Sequence, residues 1–342
     1  FNATETSIIS NRADLGGGGV YAWIGNINTS NATISSNTAG EDGGGALCGN
    51  SAFNAIDTTI SLNTAGGGGG GVFVQNGIFN ATETLLESNA ANSGGGVGAY
   101  CGNIYTSNTT ISSNTADEDG GGVALYGNSA FNATDTTISL NTVGGNGGGV
   151  YAKMGTINTT CATISLNTAG EDGGGVCITR LSTFNATDTT IISNKANGAS
   201  GGGVYAYMGT INTSNATISS NTAGADGGGV ALCYASDIFT AAVTTIVSNA
   251  AACNGGGVYV AVGWFNAESV VISGNDAGTG GGIYLPNYVT IQTSGKDWHP
   301  KEDKENPFSV DTSGEIHDPQ PADPVQVYEN TADSGKEMKV EE

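Results

Sequence analysis

The sequence predicts an all-β fold, a parallel β-helix (β-solenoid) of about eleven coils, and three observations lead to this prediction. A short glycine run that ends in an aliphatic or small residue recurs every 25 to 28 residues. A second block of the repeat keeps three of its columns without exception, and no window before residue 285 has the spacing of an amphipathic helix. Self-similarity at such a period marks a solenoid, in which each repeat buries its apolar side against its neighbours.

The glycine runs are the first landmark of the repeat. The residues that close them are Val20, Ala46, Val72, Val97, Val123, Val150, Val176, Val204, Val230, Val258 and Ile283. Glycine is expected where the backbone needs a positive φ or where a surface must carry no side chain. A phosphate-binding loop is a competing interpretation, but such a loop opens a helix and usually carries Lys. These runs do neither, so we interpret them as parts of the coil.

The second landmark is an eleven-residue block, for which residues 131–141 are an example. Its first position is Phe or Ile, its eighth is Ile or Leu, and its eleventh is always Asn. Side-chain alternation predicts that the first and eighth positions point inward and that the seventh and ninth, mostly Thr and Ser, point outward. The Asn is expected at a bend, bonded to the backbone or to the Asn one coil away. We predict two or three short strands in each coil.

A change in composition divides the chain into a solenoid, residues 1–285, and a tail, residues 286–342. All six prolines and both histidines lie in the tail, which is acidic. We expect the tail to cap its own solenoid or to dock on another copy, because the exposed strands at a solenoid's ends need a cap or a partner. Residues 329–335 repeat the Asn-Thr-Ala turn of the coils, which predicts a degenerate coil that closes or extends the stack.

The charge excludes several partners. The net charge is −22, and the solenoid holds only four basic residues, Arg12, Lys153, Arg180 and Lys195. Nucleic-acid binding needs a basic surface, so we expect no nucleic-acid partner and no anionic membrane surface. No segment approaches 18 continuous apolar residues, so no membrane span is predicted. Abundant Asn, Thr, Ser and Gly with little Lys indicate an extracellular or cell-surface protein.

The cysteines leave two interpretations open. They are Cys48, Cys101, Cys161, Cys177, Cys233 and Cys253. An even number suggests disulfides in a secreted protein, and only the pairs Cys161 with Cys177 and Cys233 with Cys253 are separated by a single coil. Free thiols are the alternative. Metal binding by these residues is not expected, because the solenoid has no CxxC pair and no histidine.

Ten sequons of the form Asn-X-Ser/Thr are candidate sites of N-linked glycosylation. They are Asn2, Asn28, Asn31, Asn80, Asn108, Asn132, Asn158, Asn185, Asn212 and Asn215. All ten fall at the second or fifth position of the eleven-residue block, and both positions are predicted to face solvent. We therefore predict rows of N-linked glycans, with an Asn ladder that supports the turn as the alternative.

Acidic turns precede several glycine runs and loosely resemble calcium-binding glycine-rich repeats. The candidate ligands are Asp42, Asp119, Asp172 and Asp226. In those repeats, however, the Asp follows the glycines at a nine-residue period, which this chain lacks. A solvated acidic edge is the alternative to calcium, and no other cofactor is expected.

The columns of outward Thr and Ser form a hydroxylated strip like those of ice-binding β-solenoids, and Leu85 and Glu87 interrupt it. Enzymes that cleave polysaccharides also use parallel β-helices, but they need carboxylates with Arg or Lys in a cleft. No coil of this chain stands apart in that way. We therefore expect a protein that is not an enzyme and has no catalytic residue.

The run Ile-Ser-Xaa-Asn-Thr-Ala followed by Gly-Gly-Gly-Val, as in residues 164–176, resembles a known kind of repeat. It is similar to repeats of right-handed parallel β-helix surface proteins, the polymorphic outer-membrane proteins and autotransporter passengers. The resemblance covers residues 1–285 and implies a β-helix used for adhesion or surface display.

The function expected from all these features is that of a non-catalytic extracellular structural protein, a glycosylated subunit of a head-to-tail fibre or surface appendage. Self-association through the coil ends and the tail would build the fibre. An adhesin or passenger domain that binds a surface glycan or host ligand is the alternative. Ice binding and polysaccharide cleavage are more distant ones.

Overall fold

A computed structural model describes residues 1–286, 290–293, 296–298, 309–310, 325–328, 330–334 and 338–341, with side chains for residues 1–285 and 330–331. All regular structure in these residues is β-strand. The predicted parallel β-solenoid of about eleven coils is confirmed, but each coil contributes four short strands rather than two or three. The chain forms two compact units, Phe1–Ala169 and Gly170–Glu342.

In the first unit, strands at the same position of successive coils pair in parallel. The first strands are Asn2–Thr4, Ile27–Ser30, Ala52–Ile56, Ile78–Thr82, Asn103–Ser107, Ala130–Thr134 and Thr156–Thr160. The second strands are Ser7–Ile9, Thr33–Ser35, Thr59–Ser61, Leu85–Glu87, Thr110–Ser112, Thr137–Ser139 and Thr163–Ser165. The third strands are Arg12–Ala13, Thr38–Ala39, Thr64–Ala65, Ala90–Ser93, Thr115–Asp119, Thr142–Val143 and Thr168–Ala169. The fourth strands are Val20–Ala22, Ala46–Gly49, Val72–Gln75, Val97–Tyr100, Val123–Tyr126 and Val150–Lys153.

The second unit repeats the arrangement. Its first strands are Thr183–Thr187, Thr210–Ser214, Ile238–Ala242, Trp264–Glu268 and Thr290–Thr293, and Lys296–Trp298 pairs antiparallel to the last of these. Its second strands are Thr190–Ile192, Thr217–Ser219, Thr245–Val247, Val270–Ser273, Val325–Tyr328 and Ser309–Val310. Its third strands are Lys195–Ala196, Thr222–Ala223, Ala250–Asn254, Asp276–Thr279 and Thr331–Ser334. Its fourth strands are Val176–Thr179, Val204–Tyr207, Val230–Leu232, Val258–Val260, Ile283–Pro286 and Met338–Glu341.

The core consists of the two inward columns that the sequence predicts. Ile60 pairs in register with Ile34, and Phe79 with Phe53, and all four side chains are fully buried. The prediction is wrong for the first coil, where Phe1 is 60% exposed. The described residues place a neighbour on only one side of that coil, so its apolar side chain lacks half of the usual contacts.

Left-handed backbone makes the corners of the coil. The fifth position of the block has φ between 47° and 53° in all eleven coils, and the tenth has φ between 54° and 60°. The glycine three residues before each closing residue has φ between 62° and 71°. Two further glycines follow it because the coils approach closely there: a Cβ added at Gly45 would lie 2.5 Å from the carbonyl oxygen of Gly71. Both reasons expected for the glycines are therefore confirmed.

The end of the tail continues the stack of the second unit. Residues 325–328, 331–334 and 338–341 pair in parallel with the second, third and fourth strands of the eleventh coil. Asn330 lies between the first two of these segments, at the place that the invariant Asn occupies in every coil. The predicted degenerate coil is thus confirmed, and it extends the stack as a twelfth coil.

Candidate functional site

The invariant Asn of the eleventh position builds a ladder inside each unit. Both the backbone N–H and the Nδ2 of Asn63 donate to Oδ1 of Asn89, each over 3.0 Å, and Nδ2 also donates to the carbonyl oxygen of Ile34 over 2.9 Å. Oδ1 of Asn63 in turn accepts from the N–H and Nδ2 of Asn37. Every polar atom of this fully buried side chain is therefore paired, as a buried amide requires. The predicted role at a bend is confirmed.

The same ladder reaches the twelfth coil in the second unit. The N–H and Nδ2 of Asn275 donate to Oδ1 of Asn330 over 2.8 and 2.9 Å. Nδ2 of Asn330 donates to the carbonyl oxygen of Ile272 over 3.3 Å. These three contacts attach a segment 55 residues distant in sequence to the eleventh coil by the chemistry used between consecutive coils.

A second Asn ladder follows the first strand on the outside of the coils. Nδ2 of Asn28 donates to Oδ1 of Asn2 over 2.7 Å, and Asn54 donates to Asn28 in the same way. Three further pairs are Asn80 to Asn54, Asn158 to Asn132, and Asn212 to Asn185. This outer ladder contains all seven second-position sequons. Six of them are half-buried, so the solvent exposure predicted for this position is only partial.

The ladder interpretation of these sequons therefore has direct support, but its predicted place is wrong. The outer ladder lies within the strand, not at the turn, because the second position belongs to the regular first strand. The turn begins only at the fifth position, where the backbone becomes left-handed.

The three fifth-position sequons, Asn31, Asn108 and Asn215, have a different environment. Their side chains are exposed at a left-handed corner, with φ of 48°, 48° and 51°. Asn tolerates this conformation better than most residues. Asn215 donates from Nδ2 to Oδ1 of Asp188, whereas Asn31 and Asn108 make no side-chain hydrogen bond within the part of the chain that the structure describes.

The candidate calcium ligands each bind the loop of the following coil. Oδ1 of Asp42 accepts from the N–H of Gly68 over 2.6 Å, and Oδ1 of Asp172 accepts from the N–H of Ser200 over 2.9 Å. Asp226 accepts from the N–H and Nδ2 of Asn254. The structure does not bring the four carboxylates together, and the described residues contain no group of three or more His, Cys, Asp or Glu placed to hold a metal.

The fourth candidate, Asp119, accepts hydrogen bonds from two side chains. Its Oδ1 accepts from Nδ2 of Asn146, and its Oδ2 accepts from the hydroxyl of Tyr126, both over 3.2 Å. Burial raises the pKa of Asp119, and burial likewise raises that of Asp172. These two carboxylates are therefore parts of the folded loops rather than a solvated acidic edge.

The sequence analysis missed one buried acid, Asp237. Its Oδ1 accepts from the N–H of Gly209 over 2.7 Å, and its Oδ2 accepts from the N–H groups of Cys233 and Tyr234 over 2.9 and 2.6 Å. Burial raises the pKa of this fully buried carboxyl. The signal in the sequence was an Asp at a place where another coil has Ser129, whose hydroxyl accepts from the N–H of Gly102.

All six cysteines are free in the structure, so neither predicted disulfide is formed. Cys48 and Cys177 are buried, Cys233 is half-buried, and Cys101, Cys161 and Cys253 are exposed. Burial raises the pKa of the Cys48 thiol to about 11 and that of Cys233 to about 12. Because the thiolate is the reactive form, these two thiols are unreactive at neutral pH.

The outward Thr and Ser columns are aligned from coil to coil. Thr110 pairs with Thr137 and Ser112 with Ser139, and all four side chains are half-buried. Glu87 pairs with Ser112 and breaks the hydroxyl column there, as predicted.

Tyrosines line the outer side of the fourth strands, which the sequence analysis did not single out. The rings of Tyr126 and Tyr151 are 5.7 Å apart in the first unit, and in the second unit those of Tyr207 and Tyr234 are 5.0 Å apart. Tyr207 and Tyr234 remain partly exposed. Tyrosine contributes large contact area and a polar hydroxyl to binding surfaces.

No protein-family model, curated protein or solved structure matches the chain. Among the residues whose structure is described, no helix is long and apolar enough to cross a membrane.

Proposed function

We propose that the chain is a non-catalytic extracellular structural protein whose copies stack head to tail into a fibre or surface appendage. The observation that supports this proposal best is the inner Asn ladder, because it joins coils by one repeated set of contacts. Neighbouring coils in each unit use the same three hydrogen bonds, from two donor nitrogens to two acceptor oxygens. A coil from another copy could be added by the same contacts.

The two ends of the ladder are complementary. In the first coil, Nδ2 of Asn11 donates to the carbonyl oxygen of Ile9 over 3.3 Å, whereas Asn37 donates to the preceding coil, at Ile8, over 2.9 Å. In every described pair the N–H of one Asn donates to Oδ1 of the Asn in the next coil. A second copy that displaced Lys296–Trp298 and Ser309–Val310 from the outer edge of the twelfth coil and stacked there would place Asn11 next to Asn330 and continue this pattern. Such a contact is heterologous and does not close, so it produces a fibre.

Electron microscopy and mass photometry of the purified full chain test the proposal. We expect filaments, and we expect Asn11→Leu to shorten or abolish them while the circular dichroism spectrum stays that of a β protein. Ser7→Ala changes an outward side chain of the same coil and is the matched control, which should leave the filaments intact. A protein that remains monomeric at every concentration would contradict the proposal.

An adhesin is the second candidate function, and the partly exposed pair Tyr207 and Tyr234 favours it. The similarity of the repeat to those of surface-displayed β-helix proteins supports the same candidate. Binding of the full chain to an array of immobilised glycans would test it, with Tyr207→Ser and Tyr234→Ser expected to weaken any specific signal. Equal binding by the variants and the unaltered chain would remove these tyrosines from the interaction.

A further inference from the structure

We infer that Asn31, Asn108 and Asn215 carry N-linked glycans in the folded protein and that the six half-buried sequons of the outer ladder do not. The inference rests on the extracellular location in the proposed function, because N-linked glycans are attached to proteins that enter a secretory route. It separates the exposed sequons at the corners from the half-buried sequons of the outer ladder by the environment of the Asn side chain.

The chemistry of glycan attachment determines what the folded structure must allow at each Asn. A lipid-linked diphosphate oligosaccharide supplies the sugar: the bond between its anomeric carbon and the phosphate oxygen breaks, and a bond from that carbon to Nδ2 of Asn forms. Nδ2 loses one proton, and the lipid diphosphate leaves with the electron pair of the broken bond. The Asn therefore exchanges one of its two N–H bonds for a bulky sugar, which the fold must accommodate.

At the fifth position the fold can accommodate the sugar. The side chains of Asn31, Asn108 and Asn215 are exposed and project from a left-handed corner between two strands. Asn31 and Asn108 have no side-chain hydrogen bond to lose within the described residues. Asn215 uses one N–H of Nδ2 for Asp188 and has a second that a sugar can replace.

Within the outer ladder the same substitution conflicts with the structure. Asn28 is held between Asn2 and Asn54, donating to the first and accepting from the second, over 2.7 Å each. Neighbouring parallel strands lie about 4.8 Å apart, which is narrower than a sugar ring with its hydration. Asn28 gives one N–H of Nδ2 to Asn2, so a sugar would replace the second one, but it would press against the side chains on both sides of this half-buried residue.

Spacing within the first unit separates the classes further. Asn31 and Asn108 belong to the second and fifth coils, so about 14 Å of stacked strands lies between their corners. Asn28 and Asn2, by contrast, are sequons in adjacent coils, as are Asn132 and Asn158. Glycans on both members of such a pair would overlap.

The same distinction holds if the sugar is attached before the chain folds, because the folded structure then determines which glycosylated chains can fold. A chain with a sugar in the outer ladder would have to displace the side chains packed on either side of that Asn in order to fold. Such chains would be removed as unfolded protein, whereas chains with sugars at the three corners would fold. The folded protein should therefore be enriched in the corner glycans alone.

The test uses the full chain, purified in folded form from the cells that produce it. Release of the glycans by an amidase in heavy-oxygen water converts each glycosylated Asn to a labelled Asp, which peptide mass spectrometry locates. We expect the label at Asn31, Asn108 and Asn215 and at none of the half-buried Asn28, Asn80, Asn132, Asn158, Asn185 and Asn212. Label at any of these six sites, or none at the three corners, would overturn the inference.

A pair of variants separates modification from structure. Asn31→Gln should remove the mass of one glycan and leave the thermal unfolding midpoint of the deglycosylated protein unchanged. Asn80→Gln should leave the glycan mass unchanged and lower that midpoint, because Asn80 donates to Asn54. The reverse result would contradict our assignment. Filaments without any glycan would refute this inference alone, and glycosylated protein without filaments would refute the assembly proposal alone.

Discussion

The amide nitrogen of Asn63 donates to Oδ1 of Asn89 over 3.0 Å, and the same nitrogen donates to the carbonyl oxygen of Ile34 over 2.9 Å. Asn63, Asn89 and Ile34 belong to the third, fourth and second coils, so one buried side chain connects three coils. Removing one partner of a buried hydrogen bond costs more stability than the bond contributes when it is formed, because the remaining polar atom cannot bond to water. The inner ladder should therefore be the most sensitive part of the fold to polar substitution.

Asn63→Ala tests that sensitivity. The change removes the acceptor of the Asn37 N–H, one of the two acceptors of Asn37 Nδ2, which keeps Ile8, and the Nδ2 donor to the carbonyl oxygen of Ile34; each such loss costs about 1 to 3 kcal/mol. We expect the free energy of unfolding, measured in urea, to fall by at least about 3 kcal/mol. Thr64→Ala, at the exposed next residue, is the control and should change it little. Similar losses for both variants would contradict the role of the ladder.

Gly45→Ala should be equally harmful for a steric reason. The added Cβ would lie 2.5 Å from the carbonyl oxygen of Gly71 and 3.0 Å from Nδ2 of Asn63, and neither atom has room to move. We expect a loss of about 3 kcal/mol in thermal or urea unfolding. Gly198→Ala is the matched control, because its Cβ would meet only the carbonyl oxygen of Gly170, at 3.4 Å. A soluble, fully stable Gly45→Ala protein would show that the coils can separate there.

Leu140→Gly should stabilise the protein. Leu140 is 54% exposed at the left-handed tenth position, with φ of 58°, where several other coils have Ser. A residue with a side chain costs about 1 kcal/mol or more in this conformation, and the exposed leucine gains little from burial. We expect the unfolding free energy to rise by up to about 1 kcal/mol, after the greater flexibility of glycine in the unfolded chain is included. Thr142→Gly, in the third strand, should lower it instead.

The buried carboxyls predict how stability depends on pH. Burial raises the folded-state pKa of Asp119, Asp172 and Asp237 above the ordinary value of 3.8, so the folded protein binds more protons than the unfolded chain just above that pH. Their contribution to stability is therefore fully present below about pH 3.8 and is lost as pH rises through the raised pKa values. The thermal midpoint should increase as pH falls from 7 towards 4.

Asp119→Asn should reduce this pH dependence, since the amide does not titrate and can still accept from Asn146 through Oδ1. Glu118→Gln removes an exposed carboxylate next to it in sequence and serves as the control for net charge. If both variants showed the same midpoint against pH as the unaltered chain, burial of Asp119 would not be the cause.

Much of the fold was predictable because its signals are local and repeated. The alternation around Ile34 and Ile60 shows which side of the strand is apolar, and the closely repeated period shows that like residues stack. The left-handed fifth and tenth positions carried no such signal, since Val243, Cys161 and Leu62 occupy them as well as Asn, Asp and Ser. There the closure of the coil determines the backbone conformation, and the residue tolerates it.

By itself the sequence determined that coils of 25 to 28 residues bury Phe, Ile and Leu columns and turn at an invariant Asn. Only the tertiary structure decided which polar atoms meet between coils. It divided the ten sequons into seven of an outer ladder and three at exposed corners, and it gave the carboxylate of Asp237 three backbone donors. The physical reason is that apolar burial follows from side-chain alternation along the chain, whereas a hydrogen bond depends on the register between segments 25 or more residues apart.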